Sequence, residues 1–561
     1  MENKEIIENS SLGRKLENCR MCESEELYEF LDLGLMPPAD GILSAEEIKS
    51  GEELLFPLKV EQCQNCGLTQ LTYAANPRHL YGEKYKYESS ITNTGVKHFL
   101  DMADSIREKL DLLPGSFVID VGSNVGVLLS GFKRSGMNVL GIDPAPKIAK
   151  IANENGIKTW QEFINPDTAK KIVREKGLAK VVTCTNVFAH IDDKKGLMES
   201  IDILLDNDGV MVIEAPYFLD LIENMEYDTI YIDHLEYISI KPLVSFFEKY
   251  GLEIFDVEKQ EIHGGTLRIF VGKKDKRTVS QSVLEFLNLE KKKRLYKKET
   301  LDDFSMKVEE HKKQFIELLD NLKKEGKKII GISAPAKGNT LLNYCKINNS
   351  HIDYMTEKSL IKVGHYTPGM HIPIVAEKKM YADKKFPDYG IIFAWNFASE
   401  IAKNNQEFLK RGGKFINPIP RPLIMEETQK EDLFGVKITK ITPDFEDDRG
   451  KITDLINSSI NHIGLITTEV GAQRGPHYHN QSNQDSYILS GSFEVLLARK
   501  DDLKNVKKVV LKTGEFISVP PLIIHGFKAI EKAVMIDISQ TRGDTGYEAD
   551  VVRIKLEDLG E

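Results

Sequence analysis

The feature that most constrains this chain is a pair of short cysteine motifs, "CRMC" with Cys19 and Cys22 and "CQNC" with Cys63 and Cys66. Two such knuckles let four thiolates converge on one tetrahedral zinc, and each ties down a loop that has little core of its own. With only 6 cysteines in 561 residues, and a polar, acidic start where a secretory signal would be basic and then apolar, metal chemistry is expected rather than a disulfide framework. Four thiolates close the coordination sphere, so the predicted zinc is structural: it builds a small N-terminal domain and leaves no open position for catalysis.

A chain of this length exceeds one hydrophobic core and implies about three or four domains. Its net charge of -11 argues against nucleic-acid and membrane-surface partners, which need a basic face. A zinc-ribbon regulator fails on the same ground, since "ENCRMCESEE" and "EQCQNCGLTQ" are acidic or neutral. No apolar run reaches the roughly 18 residues needed to span a bilayer, and a cytoplasmic protein is expected.

From residue 117 the stretch "FVIDVGSNVGVLLSGF…VLGIDPAP" reads as strand, glycine turn (Gly122, Gly126), helix, and a second strand ending in Asp143. Glycines let a backbone approach a nucleoside, and a carboxylate after the second strand accepts from ribose hydroxyls. The turn lacks the third glycine of a pyrophosphate fingerprint and any Walker lysine, which favours S-adenosylmethionine. Further alternating strands predict a mostly parallel sheet. Residues 280–326 read as one or two charged linking helices with a solvated face. A second α/β unit starts at "KIIGISAPAKGNTLLNY", where Lys337, Gly338 and Asn339 sit in a strand-loop-helix suited to phosphate. "RPLIMEETQKEDLFG" reads as linker. From about residue 437 short strands punctuated by Gly and Pro predict an antiparallel barrel or sandwich. There His477, His479, Gln484 and His525 fall where the two motifs of the cupin superfamily place their functional side chains, with glutamine for the usual glutamate.

Residues 15 to about 421 resemble the sugar C-methyltransferases, which methylate carbon 3 of nucleotide-linked 4-keto-6-deoxy sugars. The likeness rests on both knuckles, "YKYESS", "VGSNVG", "GIDPAP", "TNVFAHI", "TIYIDHLEY", "HGGTLRI", "SAPAKGNTLLNY" and "RGGKFINPIPRP". It departs at Asp233, where the family commonly has Glu, and at Val125, where it commonly has Asp. It implies a cofactor site of Asp120, Gly122, Asn124, Gly126, Asp143 and Asn186, and a sugar nucleotide held by Lys337, Gly338, Asn339, His263 and Arg268. It also implies that Tyr231, Asp233, His234 and a tyrosine of "YKYESS", assigned as Tyr87, line the reacting sugar. Carbon methylation needs an enolate, and a neutral imidazole suits removal of the C3 proton near neutral pH. His234 is therefore expected as general base, Asp233 as an orienting carboxylate, and Tyr231 and Tyr87 as donors to the enolate oxygen. An O-methyltransferase would share the cofactor site without needing a keto group.

The C-terminal part resembles the cupin 3,5-epimerases and 3,4-ketoisomerases of deoxysugar pathways. His477 aligns with the epimerase base, but the epimerases' lysine at Gln484 and their late tyrosine are missing. Epimerisation of the keto sugar at C5 or C3 is the favoured expectation, with His477 and His479 as catalytic side chains. Divalent-metal binding by His477, His479, Gln484 and His525, or ketoisomerisation, remains as alternative. The predicted layout is therefore multidomain: a zinc-binding domain (1–85), a Rossmann-like α/β methyltransferase domain (86–278), helices and a second α/β domain (279–425), and an all-β cupin jelly roll (437–561) through which a homodimer would form.

Overall fold

Valine and isoleucine dominate the strands from residue 117 onward, and in the computed structural model they form a seven-stranded sheet. The structure describes residues 11–81, 93–260 and 262–425, and then 433–441, 445–447, 450–452, 455–456, 460, 462–539 and 550–555. The sheet order is Leu252–Gln260, Thr266–Lys273, Leu205–Pro216, Ala179–Thr185, Phe117–Val121, Asn138–Ile142, Thr159–Trp160. Thr266–Lys273 runs antiparallel to both neighbours, and the other pairings are parallel. Alternate residues feed opposite faces: Val118, Val181, Val210 and Val212 enter one core cluster, and Ile119, Val182, Met211 and Ile213 the other. Phe117–Val121 has Asn138–Ile142 on one side and Ala179–Thr185 on the other, so the connections diverge at its C-terminal end and open a crevice there.

The knuckles belong to a four-stranded antiparallel sheet in the order Glu236–Tyr237, Thr69–Leu71, Phe56–Cys63, Leu27–Met36. Its first strand comes from the methyltransferase stretch, far along the chain, and directly follows "YIDHL". The two domains thus share a sheet.

Two helices, Gln281–Lys292 and Lys298–Lys324, occupy the charged stretch. The second buries Leu301, Phe304, Val308, His311, Phe315, Leu319 and Leu322, a stripe at three- and four-residue spacing, and turns its charged residues outward. A six-stranded sheet follows in the order Ile374–Ala376, Met355–Glu357, Ile329–Ile332, Tyr389–Ile392, Lys414–Asn417, Leu423–Met425. Its last strand corrects the expected linker: Leu423–Met425 pairs antiparallel with Lys414–Asn417 before the chain leaves the described residues at 426. Ile329–Ile332 sits at a second switch point, with the helix Ala336–Tyr344 starting beyond it.

These elements form one compact unit, Met1–Glu426, and Glu427–Glu561 form another. The second unit pairs two five-stranded sheets around Ile488, Phe493, Val495, Leu497 and Phe527. Among the described residues no helix is long and apolar enough to cross a membrane.

Candidate functional site

The four knuckle sulfurs lie within 4.8 Å of one another. Cys19 Sγ is 3.6 Å from Cys66 Sγ, and Cys22 Sγ 3.5 Å from Cys63 Sγ. Tetrahedral zinc with bonds of about 2.3 Å needs sulfurs about 3.8 Å apart, so the donor set fits the metal. Without a cation between them these sulfurs would hold Cys19 protonated, because its neighbour Cys66 and burial both raise its pKa.

A cavity of about 650 Å³ opens where the two switch points meet the knuckle domain. Its cofactor half is built from the turn after Phe117–Val121. Gly122 (φ +69°) permits that turn because a Cβ there would come 2.3 Å from Val187. Gly126 (φ +84°) begins the helix Val127–Arg134 against Ile157 and lies beneath the cavity rather than on its wall. Asp120, Gly122, Asn124, Asp143 and Asn186 all line it. Asp143 accepts from the Asn124 N–H (3.0 Å) and the Ala145 N–H (2.9 Å), which orients its carboxylate and leaves further lone pairs for a ribose. Burial pushes the Asp120 carboxyl up to about 7 against the pull of the Thr183 hydroxyl. Ser123 Oγ, Thr185 Oγ1 and Asn186 Oδ1 are buried here without hydrogen-bond partners, as a site shaped for a polar nucleoside would leave them. The residues present thus fit S-adenosylmethionine.

Tyr231, Asp233 and His234 line the middle of the same cavity. His234 Nδ1 donates to the Thr229 carbonyl at 2.8 Å. A carbonyl can only accept, so the neutral ring carries its proton on Nδ1 and its lone pair on Nε2. The ring packs against Tyr231 (centroids 3.9 Å apart) and His190 (4.9 Å). The His190 Nδ1 lies 3.1 Å from the Tyr81 hydroxyl. Burial, then Asp40, pushes the Asp233 carboxyl up to about 7. Burial thus favours its protonated form, where the sequence leads one to expect a carboxylate.

At the far end Lys337 lines the cavity with Asn396 and Phe397. Its ammonium donates to Asn396 Oδ1 and lies 4.0 Å from the Trp395 ring centroid. Burial pulls the Lys337 pKa down to about 8, opposed by Asp228 and Glu226.

The expected substrate set separates here. Gly338 packs against Phe393, and Asn339 donates to the Ala39 carbonyl at 2.6 Å, so neither lines the cavity. Arg268 does not reach it either: it stands opposite Glu214 in the sheet and pairs with that buried carboxylate at 2.8 Å. Tyr87 and the side chain of His263 lie outside the described residues. Sequence reasoning missed Asp40, Tyr81 and His190, which all line the cavity. "TNVFAHI" carried the signal for His190, whereas "PPAD" around Asp40 carried none.

In the C-terminal unit three imidazoles converge on one amide. The Nε2 atoms of His477, His479 and His525 lie 3.0, 2.9 and 2.7 Å from Gln484 Oε1. Gln484 Nε2 donates to Asp537 Oδ1 at 2.8 Å, which fixes the amide with its oxygen toward the histidines. His477 Nδ1 faces the Gly475 carbonyl (3.2 Å) and His525 Nδ1 the Ile523 carbonyl (2.9 Å). Each of these two rings thus faces a carbonyl oxygen at Nδ1 and the Gln484 amide oxygen at Nε2, and a neutral imidazole can donate to only one of them; a cation among the Nε2 atoms would let Nδ1 donate and Nε2 ligate. Burial pushes the His525 pKa down to about 3 and keeps that ring neutral.

The fold and the cavity define a methyltransferase, and family models agree region by region. A zinc binding domain matches residues 19–81, a methyltransferase domain 97–257, the C-methyltransferase C-terminal domain 261–420, and a cupin 454–544. The C-methyltransferase NovU of Streptomyces niveus is 33% identical over 413 residues, covering 73% of this chain and 97% of the relative. A ubiquinone biosynthesis O-methyltransferase of Actinobacillus pleuropneumoniae is 32% identical over 118 residues, 19% of this chain and 49% of that enzyme. The chain belongs to the sugar C-methyltransferase family and carries a cupin besides. Among solved structures, the sugar 3,4-ketoisomerase QdtA of Thermoanaerobacterium thermosaccharolyticum is 21% identical, covering 23% of this chain and 94% of that one at a TM-score of 0.20. A score of that size carries nothing about chemistry.

Proposed function

We propose that this enzyme methylates carbon 3 of a nucleotide-linked 4-keto-6-deoxy sugar through an enolate. The observation that supports this most is His234, whose Nδ1 bond to Thr229 leaves Nε2 as the acceptor in a cavity shared by the glycine turn and Lys337. His234 removes the C3 proton, which is acidic because the adjacent ketone delocalises the charge. Tyr231, packed against that ring, donates to the developing oxygen, and Asp233 does so in its protonated form. Lys337 offers charge to the nucleotide phosphates at the helix start. When bound, S-adenosylmethionine supplies a methyl group already activated by its sulfonium, so the protein needs only to orient the two reactants and exclude water.

Incubation with S-adenosylmethionine and a panel of nucleotide-linked sugars should give a product heavier by one methylene, from 4-keto sugars only. Carbon NMR should place the new methyl on C3. A methyl found on oxygen, or equal turnover of sugars lacking the ketone, would refute the enolate.

For the cupin, the supply of a 4-keto sugar by the first site supports epimerisation with His477 as base, since fusion keeps the intermediate at high local concentration. A specific observation favours a second reading. The Nε2 atoms of His477, His479 and His525 converge, and Nδ1 of His477 and His525 each faces a backbone carbonyl that would take its proton on metal binding, an arrangement suited to a divalent transition metal with Gln484 Oε1 as fourth ligand. Comparing the full chain with His477→Asn in deuterated water separates the two. Epimerisation predicts deuterium at the inverted carbon, lost in the variant while methylation persists. The metal reading predicts no exchange, with one metal ion beyond the knuckle zinc in the wild type and none beyond it in the variant.

A further inference from the structure

Behind the far end of the cavity, where Lys337 stands, two buried carboxylates sit out of reach of a ligand. Asp228 belongs to the short turn Tyr227–Thr229 and is 0% exposed. Its Oδ2 accepts from the Trp395 indole Nε1 at 2.7 Å, while its Oδ1 is buried without a hydrogen-bond partner. Glu226 directly precedes that turn, is 2% exposed, and accepts from Asn224 Nδ2 at 3.1 Å. The "HGG" loop closes on it, since a Cβ at Gly264 would come 2.3 Å from Glu226 Oε1. Neither carboxylate lines the cavity, and neither does Trp395, whereas Lys337 and Asn396 do.

The indole stands between the anion and the cation. Its N–H edge meets Asp228, and its centroid lies 4.0 Å from the Lys337 ammonium. A carboxylate that accepts from an indole N–H polarises the ring toward its face, and a more negative face holds a cation more strongly. Lys337 has three N–H donors and, among the described residues, gives one to Asn396 Oδ1, which leaves the others for a ligand.

We propose that Asp228 is a positioning residue for nucleotide binding: acting through the Trp395 indole, it keeps the Lys337 ammonium charged and aimed at the substrate phosphates. This rests on the reading of Lys337 as the phosphate residue and names what sets its charge. Asp228 itself touches no reactant. Burial favours the neutral form of Lys337, and Asp228, then Glu226, oppose it. In return Lys337 and the Trp395 N–H favour the ionised form of Asp228 against its burial. Glu226 is pushed up to about 7 by burial, with Asp228 and Asp220 adding to the rise and Asn224 and Lys337 opposing it. Removing the Asp228 charge therefore lets Lys337 lose its proton at lower pH.

The test is the pH dependence of KM for the full chain, with whichever nucleotide-linked keto sugar the wild type methylates, from about pH 6.5 to about 8.5. Wild-type KM should rise as pH passes about 8, where the ammonium deprotonates. Asp228→Asn keeps an oxygen for the indole N–H and removes only the charge, so its rise should begin about one pH unit lower. KM should then be about 5-fold above wild type near pH 8 and within about 1.5-fold near pH 6.5, with kcat within about 2-fold throughout. Trp395→Phe keeps a ring beneath the ammonium, loses the N–H, and should shift the rise the same way. An Asp228→Asn protein whose KM follows the wild-type curve would overturn the proposal, as would one whose KM is raised equally at every pH, the mark of a merely distorted site. If Asp228→Asn does not fold, Trp395→Phe decides, and a wild-type curve there overturns the proposal. Lys337→Met tests the reading beneath it: its KM should be raised even near pH 6.5 and lack the alkaline rise. Wild-type KM in Lys337→Met, a wild-type KM flat across the range, or a wild type that methylates no keto sugar would refute that reading and the proposal with it.

Discussion

Replacing Cys63 with serine is expected to remove both the metal and methyl transfer, although none of the four cysteines lines the cavity. The reason is the shared sheet. Cys63 ends the strand Phe56–Cys63, which pairs with Thr69–Leu71, which pairs in turn with Glu236–Tyr237. The Leu71 N–H donates to the Leu235 carbonyl at 3.0 Å, and the Leu235 N–H to the Ala189 carbonyl at 3.0 Å, so the residue after His234 is held on both sides. The knuckle also grips the methyltransferase domain directly. Arg20, between the first two cysteines, pairs with Asp192, and Lys249 Nζ donates to the Met21 carbonyl at 2.9 Å. Structural zinc contributes on the order of 10 kcal/mol, comparable with the whole stability of a typical domain. Metal analysis should find tightly held zinc in the wild type and little in Cys63→Ser, and limited proteolysis should cut the variant within the knuckle domain. Turnover should be at background. Full activity without zinc, in the variant or after chelation, would detach the knuckles from the segment that carries His234.

That coupling was invisible in the sequence, and the reason is physical. A strand of two residues, Glu236–Tyr237, has no period to detect. The paired cysteines were legible because metal coordination imposes a fixed spacing, and the glycine turn because only glycine accepts the backbone angle and the close approach of Val187 at Gly122. Lys337 was legible as the charged residue at a helix start, but its neighbours were not separable from it. Successive helical positions point about 100° apart, and the side chain of Asn339 turns toward Ala39, away from the cavity. Arg268 misled because a motif arginine near a substrate cleft and an arginine neutralising a buried carboxylate look alike until Glu214 is seen opposite it. Asp40 could not be found at all from "PPAD", since only the folding of the knuckle domain over the cleft brings it near Asp233.

His234→Asn is expected to lower kcat by about 100-fold or more, the usual weight of a general base, while cofactor affinity stays within a few-fold of wild type. Asparagine suits the test because its amide N–H can take over the Nδ1 donation to the Thr229 carbonyl, whereas nothing in it replaces the Nε2 lone pair. The loop should therefore remain in place, and thermal unfolding should shift little. Since proton removal belongs to the transition state and not to binding, kcat and kcat/KM should fall together with KM nearly unchanged. The opposing possibility is a histidine kept for packing, because a ring packed between Tyr231 and His190 would also be well satisfied as a wall. A packing role would give the reverse pattern: early unfolding, weakened cofactor binding, and near-normal kcat in the molecules that remain folded. Calorimetric titration of S-adenosylhomocysteine beside steady-state kinetics distinguishes the two, and a variant that binds poorly yet turns over within about 3-fold of wild type would remove His234 from the chemistry.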